Sequence, residues 1–418
     1  MIKRLAIIIC TLGALLSTQA ADPTATKYSW TQCSGSLMPY PDRVQLTLPD
    51  SLTAVYIDHV GRHGARFPAS PKYTVAIKNA LLKADSLGTI TTAGHRLLKL
   101  CNDVIGLSAN NWGALDSLGK AEQRGIASRM YLNFPDLFKD TRISAISSYA
   151  PRCVMSMYEF THQLDRLNNK IEITTNSGRN NSPLLRPFDV DTEYVEWRKE
   201  DATKQVYDEY IESVITAEPL KRVLGNTYPL PDDWRQLALC EYYVLAGMSA
   251  MGRPVDPSYY FTLDEYNALW SCFNMRQYLV RTATTISTLP AEITSDLIQN
   301  IIESLSVAAD GKSTVTANLR FGHAETLMPL LSQLHLPGCY YMTNYFDTVR
   351  QHWKDFHVVP MASNIQFVLL KSKSGKQYVM TLLNEEPVTL IPNDSRTILP
   401  LNDVIKYMTH CLPQHLQL

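Results

Sequence analysis

The sequence predicts an α/β fold in which helices flank a mixed sheet and a mostly helical domain is inserted. Three observations indicate this fold. Strand-like and helix-like segments alternate along residues 53–175, residues 186–305 are rich in Tyr, Glu, Leu and Ala at helical spacing, and strand-like runs return after residue 306. The 418 residues, 45% of them hydrophobic, suffice for a large core or for more than one domain.

Each element follows from the spacing of its apolar residues, which is two in a half-buried strand and three or four in a helix. We expect strands at 53–60, 142–149, 170–175 and 314–321, a hairpin of 364–371 and 377–383, and helices from just after Pro71 to Leu87, at 122–134, at 154–164 and from 325. The chain then divides into an α/β part, residues 21–185 plus 306–418, and a helical insertion, residues 186–305.

The first 20 residues have the pattern of a signal peptide. Lys3 and Arg4 precede an apolar run over residues 5–16, which is too short to cross a bilayer, and small residues follow it. Cys10 raises the alternative of a lipid-modified cysteine, but Ile9 stands where a small residue is wanted. We therefore expect an exported protein, either periplasmic or secreted.

Charge and cysteine content narrow the classes of partner and cofactor. Without the leader, which holds two basic and no acidic residues, the net charge is −3, and this disfavours nucleic-acid binding. No later segment is apolar enough to span a membrane. Seven cysteines remain, and neither a C-x-x-C pair nor a zinc-like spacing occurs. We expect no metal site, and one or two disulfides beside buried thiols.

The segment G-R-H-G-A-R-F-P, from Gly61 to Pro68, follows the first predicted strand. Ligands of α/β sheets bind at the carboxyl ends of strands, so this position suits a site. Arg62 and Arg66 flank His63. Guanidinium groups bind phosphate oxygens in pairs and stay charged, while an imidazole can act as a nucleophile. The pattern predicts phosphoryl transfer, with the arginines neutralising charge.

Two further strand ends carry residues that fit the same chemistry. His323 and Glu325, in G-H-A-E after the predicted strand 314–321, offer another donor to phosphoryl oxygens and a carboxyl that can protonate a leaving alcohol. The alternative is a helix N-terminus at which Glu325 only complements the helix dipole. Arg152, after the strand 142–149, completes a cradle of three arginines or else forms a surface salt bridge.

Together these segments resemble the histidine acid phosphatase branch of the histidine phosphatase superfamily. The resemblance rests on R-H-G-x-R-x-P, the later Arg152, the distant H-A-E, and Leu118-Gly119 in the preceding helix, and it spans about 50–175 and 310–385. Most phytases and acid phosphatases of this branch have H-D, whereas H-A-E resembles the multiple inositol polyphosphate phosphatases. The resemblance implies the histidine phosphatase, or phosphoglycerate mutase-like, fold.

The resemblance also implies roles for individual side chains. His63 becomes the phosphohistidine, and Glu325 becomes the proton donor. The groups that bind the transferred phosphoryl group are Arg62, Arg66, Arg152 and His323. One position departs from the pattern, because related sequences often carry Thr after the motif's proline and this chain has Ala69, followed by Ser70. A hydroxyl contact is therefore lost or shifted.

Three more residues are candidates for binding the rest of the substrate. His59, three positions before Arg62, either faces the site or packs as an ordinary core histidine. Lys72 either meets an outer phosphate or lies in solvent. Arg186 can line the cleft from the base of the helical insertion.

We therefore expect an exported, metal-independent and cofactor-free phosphomonoesterase whose substrate is a small phosphorylated molecule. Inositol hexakisphosphate and lower inositol polyphosphates would be hydrolysed through a phosphohistidine, in a cleft between sheet and insertion. Two alternatives stay open. A less selective acid phosphatase for sugar phosphates or phosphoglycerates would lack additional Lys and Arg in the cleft. An inactive phosphoryl-ligand binding protein would be expected to lack His63 or Glu325, and the presence of both residues argues against it. The oligomeric state is left open.

Overall fold

The computed structural model describes residues 27–416, so the predicted signal peptide, residues 1–20, lies outside the described residues. The core of the described chain is one eight-stranded sheet with the order β3-β2-β4-β1-β5-β6-β7, in which β8 also pairs with β6. The strands are β1 (Leu52–Arg62), β2 (Arg142–Ser147), β3 (Glu172–Ser177), β4 (Ala317–Gly322), β5 (Asn364–Ser372), β6 (Gln377–Leu383), β7 (Glu386–Val388) and β8 (Ile398–Pro400).

Helices fill the connections between these strands. They are α1 (Lys72–Ser86), α2 (Thr92–Ser108), α3 (Ser117–Asn133), α4 (Pro151–Leu167), α5 (Ser182–Leu185), α6 (Pro187–Val190), α7 (Thr192–Glu200), α8 (Lys204–Val214), α9 (Glu218–Leu224), α10 (Trp234–Ala250), α11 (Leu263–Arg281), α12 (Leu289–Glu292), α13 (Ser295–Ala309), α14 (Ala324–Gln333), α15 (Val349–His352), α16 (Asp355–Val358) and α17 (Leu401–His410). Within residues 27–416, no helix has the length and apolarity of a membrane span.

The strands β1, β2 and β4 are parallel and end at the same edge of the sheet. Arg62 at the end of β1 is in register with Gly322 at the end of β4. The backbone pairing continues beyond the strands, since the His63 N–H donates to the Gly322 carbonyl over 3.1 Å and the Ser148 N–H donates to the Phe321 carbonyl over 3.0 Å. The residues that follow the three strands are therefore held side by side.

Each face of the sheet packs against its own layer of helices. Alternation along β1 sends Tyr56 and Val60 into a core shared with α1, α2, α10, α11 and α13, and sends Ile57 into a second core with α3 and α4. β3 pairs with β2 in parallel, whereas β5 to β8 pair in antiparallel fashion. The fold confirms the predicted class, a mixed sheet flanked by helices.

Sequence reasoning placed the main strands and missed several helices. The strands predicted at 53–60, 142–149, 170–175, 314–321, 364–371 and 377–383 are present with shifts of a few residues, whereas α2, α17 and the short strands β7 and β8 were not predicted. Between β3 and β4 the described chain forms helices and loops. The predicted boundary at residue 305 falls inside α13, which packs against β1. The division into two domains stays a prediction.

The cysteines behave as apolar core residues. Cys33, Cys101, Cys153, Cys272 and Cys339 are buried, and the described residues contain no disulfide. The expected one or two disulfides are therefore absent from residues 27–416. Free cysteine is among the most buried residue types and packs as a small hydrophobe, which accounts for its frequency in this core.

Candidate active site

A cavity of about 290 Å³ opens at the edge where β1, β2 and β4 end. The loop after β1 forms one wall, the first turns of α4 and α14 form the floor, and α10 and α11 form the opposite wall. Five of the predicted site residues line it, namely Arg62, His63, Arg66, Arg152 and Glu325. The parallel strands thus bring together residues that lie more than 250 positions apart in the sequence.

The imidazole of His63 is held in one tautomer by its own loop. Its Nδ1 atom lies 2.9 Å from the carbonyl oxygen of Gly64. A carbonyl only accepts hydrogen bonds, so Nδ1 carries the proton and Nε2 presents its lone pair. Burial lowers the pKa of His63 well below its ordinary value, and Arg152 and Arg62 lower it further. The side chain is therefore a neutral imidazole with a free nucleophilic nitrogen.

Helix α3 braces the loop that carries His63. The Ala65 N–H donates to Oε2 of Glu122 over 2.7 Å, and the Asp116 N–H donates to the Ala65 carbonyl over 3.1 Å. The backbones of Gly64 and Gly119 touch, and a Cβ atom on Gly64 would overlap the carbonyl oxygen of Gly119. Gly119, in the Leu118-Gly119 segment, therefore lets α3 approach the loop.

Two backbone carbonyls fix the guanidinium of Arg62. Its Nη1 atom donates to the carbonyl oxygens of Ser36 and Val359, each over 2.6 Å. Ser36 is fixed in turn, because its N–H donates to Oδ2 of the buried Asp355 over 2.7 Å. Burial raises the pKa of Asp355 to about 6, against the hydrogen bonds from Trp270 and Ser36 that lower it. Sequence reasoning missed this support.

Each of four arginines around the cavity has one buried N–H donor without a hydrogen-bond partner in the described chain. The Nε atoms of Arg62, Arg66, Arg152 and Arg281 are buried and have no hydrogen-bond partner within the described chain. Burial lowers the pKa of Arg62 to about 10 and that of Arg66 to about 9, and mutual repulsion with Arg152 adds to both shifts. Buried donors are normally paired in folded proteins, so this cluster is suited to receive an anion.

His323 is buried beside His63, with ring centroids 5.8 Å apart, and has three polar neighbours. Its Nε2 atom lies 2.7 Å from Nη1 of Arg186 and 2.9 Å from Oγ of Ser148, and its Nδ1 atom lies 3.3 Å from Nη2 of Arg152. Burial lowers the pKa of His323 to about 3, so the ring is neutral. Both guanidinium groups are donors and a neutral ring accepts at only one nitrogen, so the shorter contact, from Arg186, favours the lone pair on Nε2.

Glu325 stands in the first turn of α14 and contacts an arginine that the sequence did not single out. Its Oε1 atom accepts from Nη2 of Arg281 over 3.1 Å. Burial raises the pKa of Glu325, but the charges of Arg281 and Arg62 are among the causes that lower it by more, so the net shift is downward. The carboxyl group is therefore ionised when no ligand is bound.

The structure does not bring His59 to the cavity. Side chains alternate along β1, so His59 points to the face opposite that of Arg62. Its ring packs against Phe160 and Phe321, with ring centroids 5.4 and 5.6 Å away. Burial lowers the pKa of His59 to about 3. The packed histidine is the reading that the geometry favours.

The other two candidates have different outcomes. Lys72 is absent from the cavity lining, and its Nζ atom lies 6.0 Å from the ring centroid of Tyr73. Arg186 does reach the site, through the contact with His323 described above. Ala69 and Ser70 both line the cavity, so Ser70 brings a hydroxyl group to the loop that lacks the usual Thr.

Three arginines of the helical region were not predicted. Arg198 on α7, and Arg276 and Arg281 on α11, line the cavity opposite the loop of His63. Arg198 and Arg276 also line an adjoining cavity of about 280 Å³. Single arginines in polar helices carry no local signal that distinguishes them from solvated surface residues. Only the tertiary arrangement shows that they face the same space.

The sheet edge, the neutral histidine and the cluster of arginines define an α/β protein with a cationic cavity that is suited to an anion. Residues 56–384 match the histidine phosphatase superfamily (branch 2). The match covers most of the chain, which therefore belongs to this family of phosphatases.

Relatives with known names agree with this family. Multiple inositol polyphosphate phosphatase 1 of Homo sapiens is 25% identical over 381 residues, which cover 82% of this chain and 76% of that protein. The multiple inositol polyphosphate phosphatase of Bifidobacterium longum, solved with inositol hexasulfate, has a TM-score of 0.70 at 16% identity, over 90% of this chain and 97% of that one. The phytase from D. castellii has a TM-score of 0.73 at 16% identity, over 94% and 88%. These two structural likenesses establish the shared fold.

Proposed function

We propose that this phosphatase is exported and hydrolyses inositol hexakisphosphate and lower inositol polyphosphates. The observation that carries the proposal is the set of arginines beyond the motif, Arg198, Arg276 and Arg281, in the same cavity as His63. A monophosphate needs only the motif arginines. Further cations on the opposite wall suit a substrate that carries several phosphates, and the names of the relatives agree with that substrate class.

The first step forms a phosphohistidine. The free lone pair of His63 Nε2 attacks phosphorus, a P–N bond forms, and the P–O bond to the inositol oxygen breaks. Arg62, Arg66 and Arg152, which line the cavity, offer guanidinium N–H donors to the phosphoryl oxygens, and His323, with its ring centroid 5.8 Å from that of His63, adds a ring N–H. Glu325 gives a proton to the leaving oxygen.

The second step releases phosphate. A water molecule attacks the phosphohistidine while the carboxylate of Glu325 takes a proton from it. The P–N bond breaks, inorganic phosphate forms, and Nε2 of His63 recovers its lone pair. The residues supply the nucleophile, the charge neutralisation and the acid–base group, so the proposed cycle uses neither a metal nor a cofactor.

The test compares phosphate release from inositol hexakisphosphate and from a simple aryl phosphate, each with EDTA. We expect hydrolysis of both substrates to survive chelation, and kcat/KM to be higher for the hexakisphosphate. Arg276→Gln should reduce this preference, whereas Arg142→Gln, an exposed cation far from the cavity, should leave it intact. Equal kcat/KM values in the wild type would favour the less selective acid phosphatase. Loss of activity with EDTA and recovery with a divalent ion would contradict the mechanism.

Export is tested separately on the full chain in the cells that make it. The apolar run of residues 5–16 and the small residues after it support removal of the leader near Ala20. We expect the mature protein outside the cytoplasm, with its N-terminus near Ala21 by mass spectrometry. An intact N-terminus on cytoplasmic protein would contradict export.

A further inference from the structure

The ion pair of Arg281 and Glu325 conflicts with the role proposed for Glu325. Both side chains line the cavity, and the guanidinium donates to the carboxylate over 3.1 Å. An adjacent cation stabilises the ionised form of a carboxyl group. A general acid has to carry a proton, so the pair holds Glu325 in the state that cannot act.

The surroundings of Glu325 strengthen the conflict. The groups that face it are Arg281 on α11, Arg62 and Arg66 around the loop after β1, Cys153 on α4, Tyr194 on α7, and His323 just before α14. The arginines favour the carboxylate, and the buried thiol and phenol carry no charge because burial raises the pKa of each. Some event during substrate binding must therefore offset this positive charge.

Arg281 is held to Glu325 by one contact only in the described structure. It offers Glu325 a single hydrogen bond, and its buried Nε atom has no partner in the described part of the chain. A second arginine–glutamate ion pair in this chain has more hydrogen bonds. Arg222 binds Glu265 through both Nη atoms, over 2.7 and 3.0 Å. A two-pronged pair is fixed in place, whereas a single contact beside unused donors can be exchanged.

We propose that Arg281 exchanges Glu325 for a second phosphate group of the substrate, and that this exchange lets Glu325 take up the proton for the leaving oxygen. The inference rests on the proposed function and specifies it, because the preferred substrates must carry at least two phosphates. The proton comes from solvent to the carboxylate, passes to the leaving oxygen as the P–O bond breaks, and is replaced from the attacking water. A monophosphate leaves the ion pair intact and meets an acid that is largely ionised.

The experiment measures proton uptake on binding inositol hexasulfate, whose sulfate groups do not titrate near pH ~4.5, where a carboxyl group does. Calorimetric titrations of the full enzyme in two buffers of different ionisation enthalpy give the number of protons taken up. Inorganic sulfate serves as the single-anion probe. We expect the wild type to take up more protons with hexasulfate than with sulfate, by as much as about one.

Variants test whether the difference in proton uptake between hexasulfate and sulfate comes from the Arg281–Glu325 pair. Glu325→Gln should abolish it because the titrating group is gone, and Arg281→Gln should abolish it because the exchange is gone. Arg281→Lys should restore part of it. Arg142→Gln, an exposed cation at the start of β2 that does not line the cavity, is the control and should retain the difference.

A second readout is the pH dependence of phosphoenzyme formation. With inositol monophosphate, the wild-type burst rate should fall with rising pH at a lower pH than with the hexakisphosphate. Arg281→Gln should bring the two profiles together. Equal uptake of protons for both anions in a wild type that binds hexasulfate would overturn this inference alone. Failure to bind hexasulfate would overturn the proposed function, and this inference with it.

Discussion

Two buried arginines, on the neighbouring strands β4 and β1, differ in the partners of their guanidinium groups. Arg320, inside β4, forms an ion pair with Asp58 of β1, and its Nη2 atom donates to Asn300 over 2.8 Å. Asp58 also accepts hydrogen bonds from Ser304 and Tyr56. Arg62 lies only four residues beyond Asp58, yet it binds carbonyl oxygens rather than a carboxylate, and its Nε atom has no partner among residues 27–416.

The difference separates a structural charge from a functional one. Inside the sheet, a buried arginine is matched by a carboxylate and its donors are used. At the carboxyl edge, donors stay unused although burying an unpaired polar group costs free energy. Such an arrangement weakens the ligand-free fold and is suited to an anion that supplies the missing partner. Each region should therefore respond differently to substitution and to ligand.

The largest effect is expected from His63→Ala. Removing a nucleophile costs turnover ~10⁴-fold or more, while the free energy of unfolding should change little because the residue follows a strand rather than filling the core. Rapid-quench labelling should trap acid-labile, alkali-stable phosphate on the wild type. An alkali-labile label would point to a carboxylate nucleophile instead.

Asp58→Asn should have the opposite profile. It leaves Arg320 buried without its counter-charge, which typically costs about 3–5 kcal/mol of unfolding free energy, measured in urea. The kcat per folded molecule should stay near the wild-type value. The double variant Asp58→Leu with Arg320→Met removes both charges and should recover much of the stability. If Asp58→Asn does not lower the free energy of unfolding, Arg320 inside the sheet does not depend on a counter-charge any more than the arginines at the carboxyl edge do.

Inorganic phosphate should stabilise the protein by binding the cavity arginines Arg62, Arg66 and Arg152. A ligand that binds only the folded state at 100 times its Kd adds about 2.7 kcal/mol to the unfolding free energy. We expect this gain in the wild type and in Asp58→Asn, but a much smaller gain in Arg152→Met. An equal gain in all three proteins would place the bound phosphate elsewhere.

Arg66→Met should stabilise the enzyme when no phosphate is present. Replacing a buried, mutually repelling cation with an apolar side chain is expected to add about 1 kcal/mol to the unfolding free energy, at the cost of activity. Urea unfolding in phosphate-free buffer measures this gain. A loss of stability would show that Arg66 contributes to the fold as Arg320 does.

A smaller, pH-dependent effect is expected at Glu241 on α10. The residue is fully buried, and neither of its carboxyl oxygens has a partner in the described chain. Burial raises the pKa of Glu241 well above its ordinary 4.5, against a lowering by Arg222. Its contribution to stability is therefore complete below pH 4.5 and is lost as the pH rises through the higher folded-state pKa.

Glu241→Gln should remove that loss. Urea unfolding at several pH values above 4.5 should give a flatter stability profile than the wild type. Parallel profiles for the two proteins would mean that Glu241 is not the titrating group.

The sequence predicted the parts of the site that lie at strand ends. His63 and Glu325 each follow a strand, and the parallel pairing of β1 and β4 is sufficient to bring them together. The support around them could not be predicted in this way. The contacts Arg281–Glu325 and Asp355–Ser36 join distant helices and loops, and a single charged residue in a helix has no periodic signature. The alternation along β1, which turns His59 away, could have been applied from the sequence.

The contact of Gly64 with Gly119 constrains how the gene can change. Any substitution that adds a side chain at either glycine forces the helix and the loop apart, and one change cannot compensate for the other because both add volume. The two positions therefore act as one inherited unit, although α1 and α2 lie between them in the chain. The contact excludes a side chain at either glycine, whatever the residues between them. A distant homologue that has the histidine motif but a larger residue at the second glycine should have rebuilt its catalytic loop.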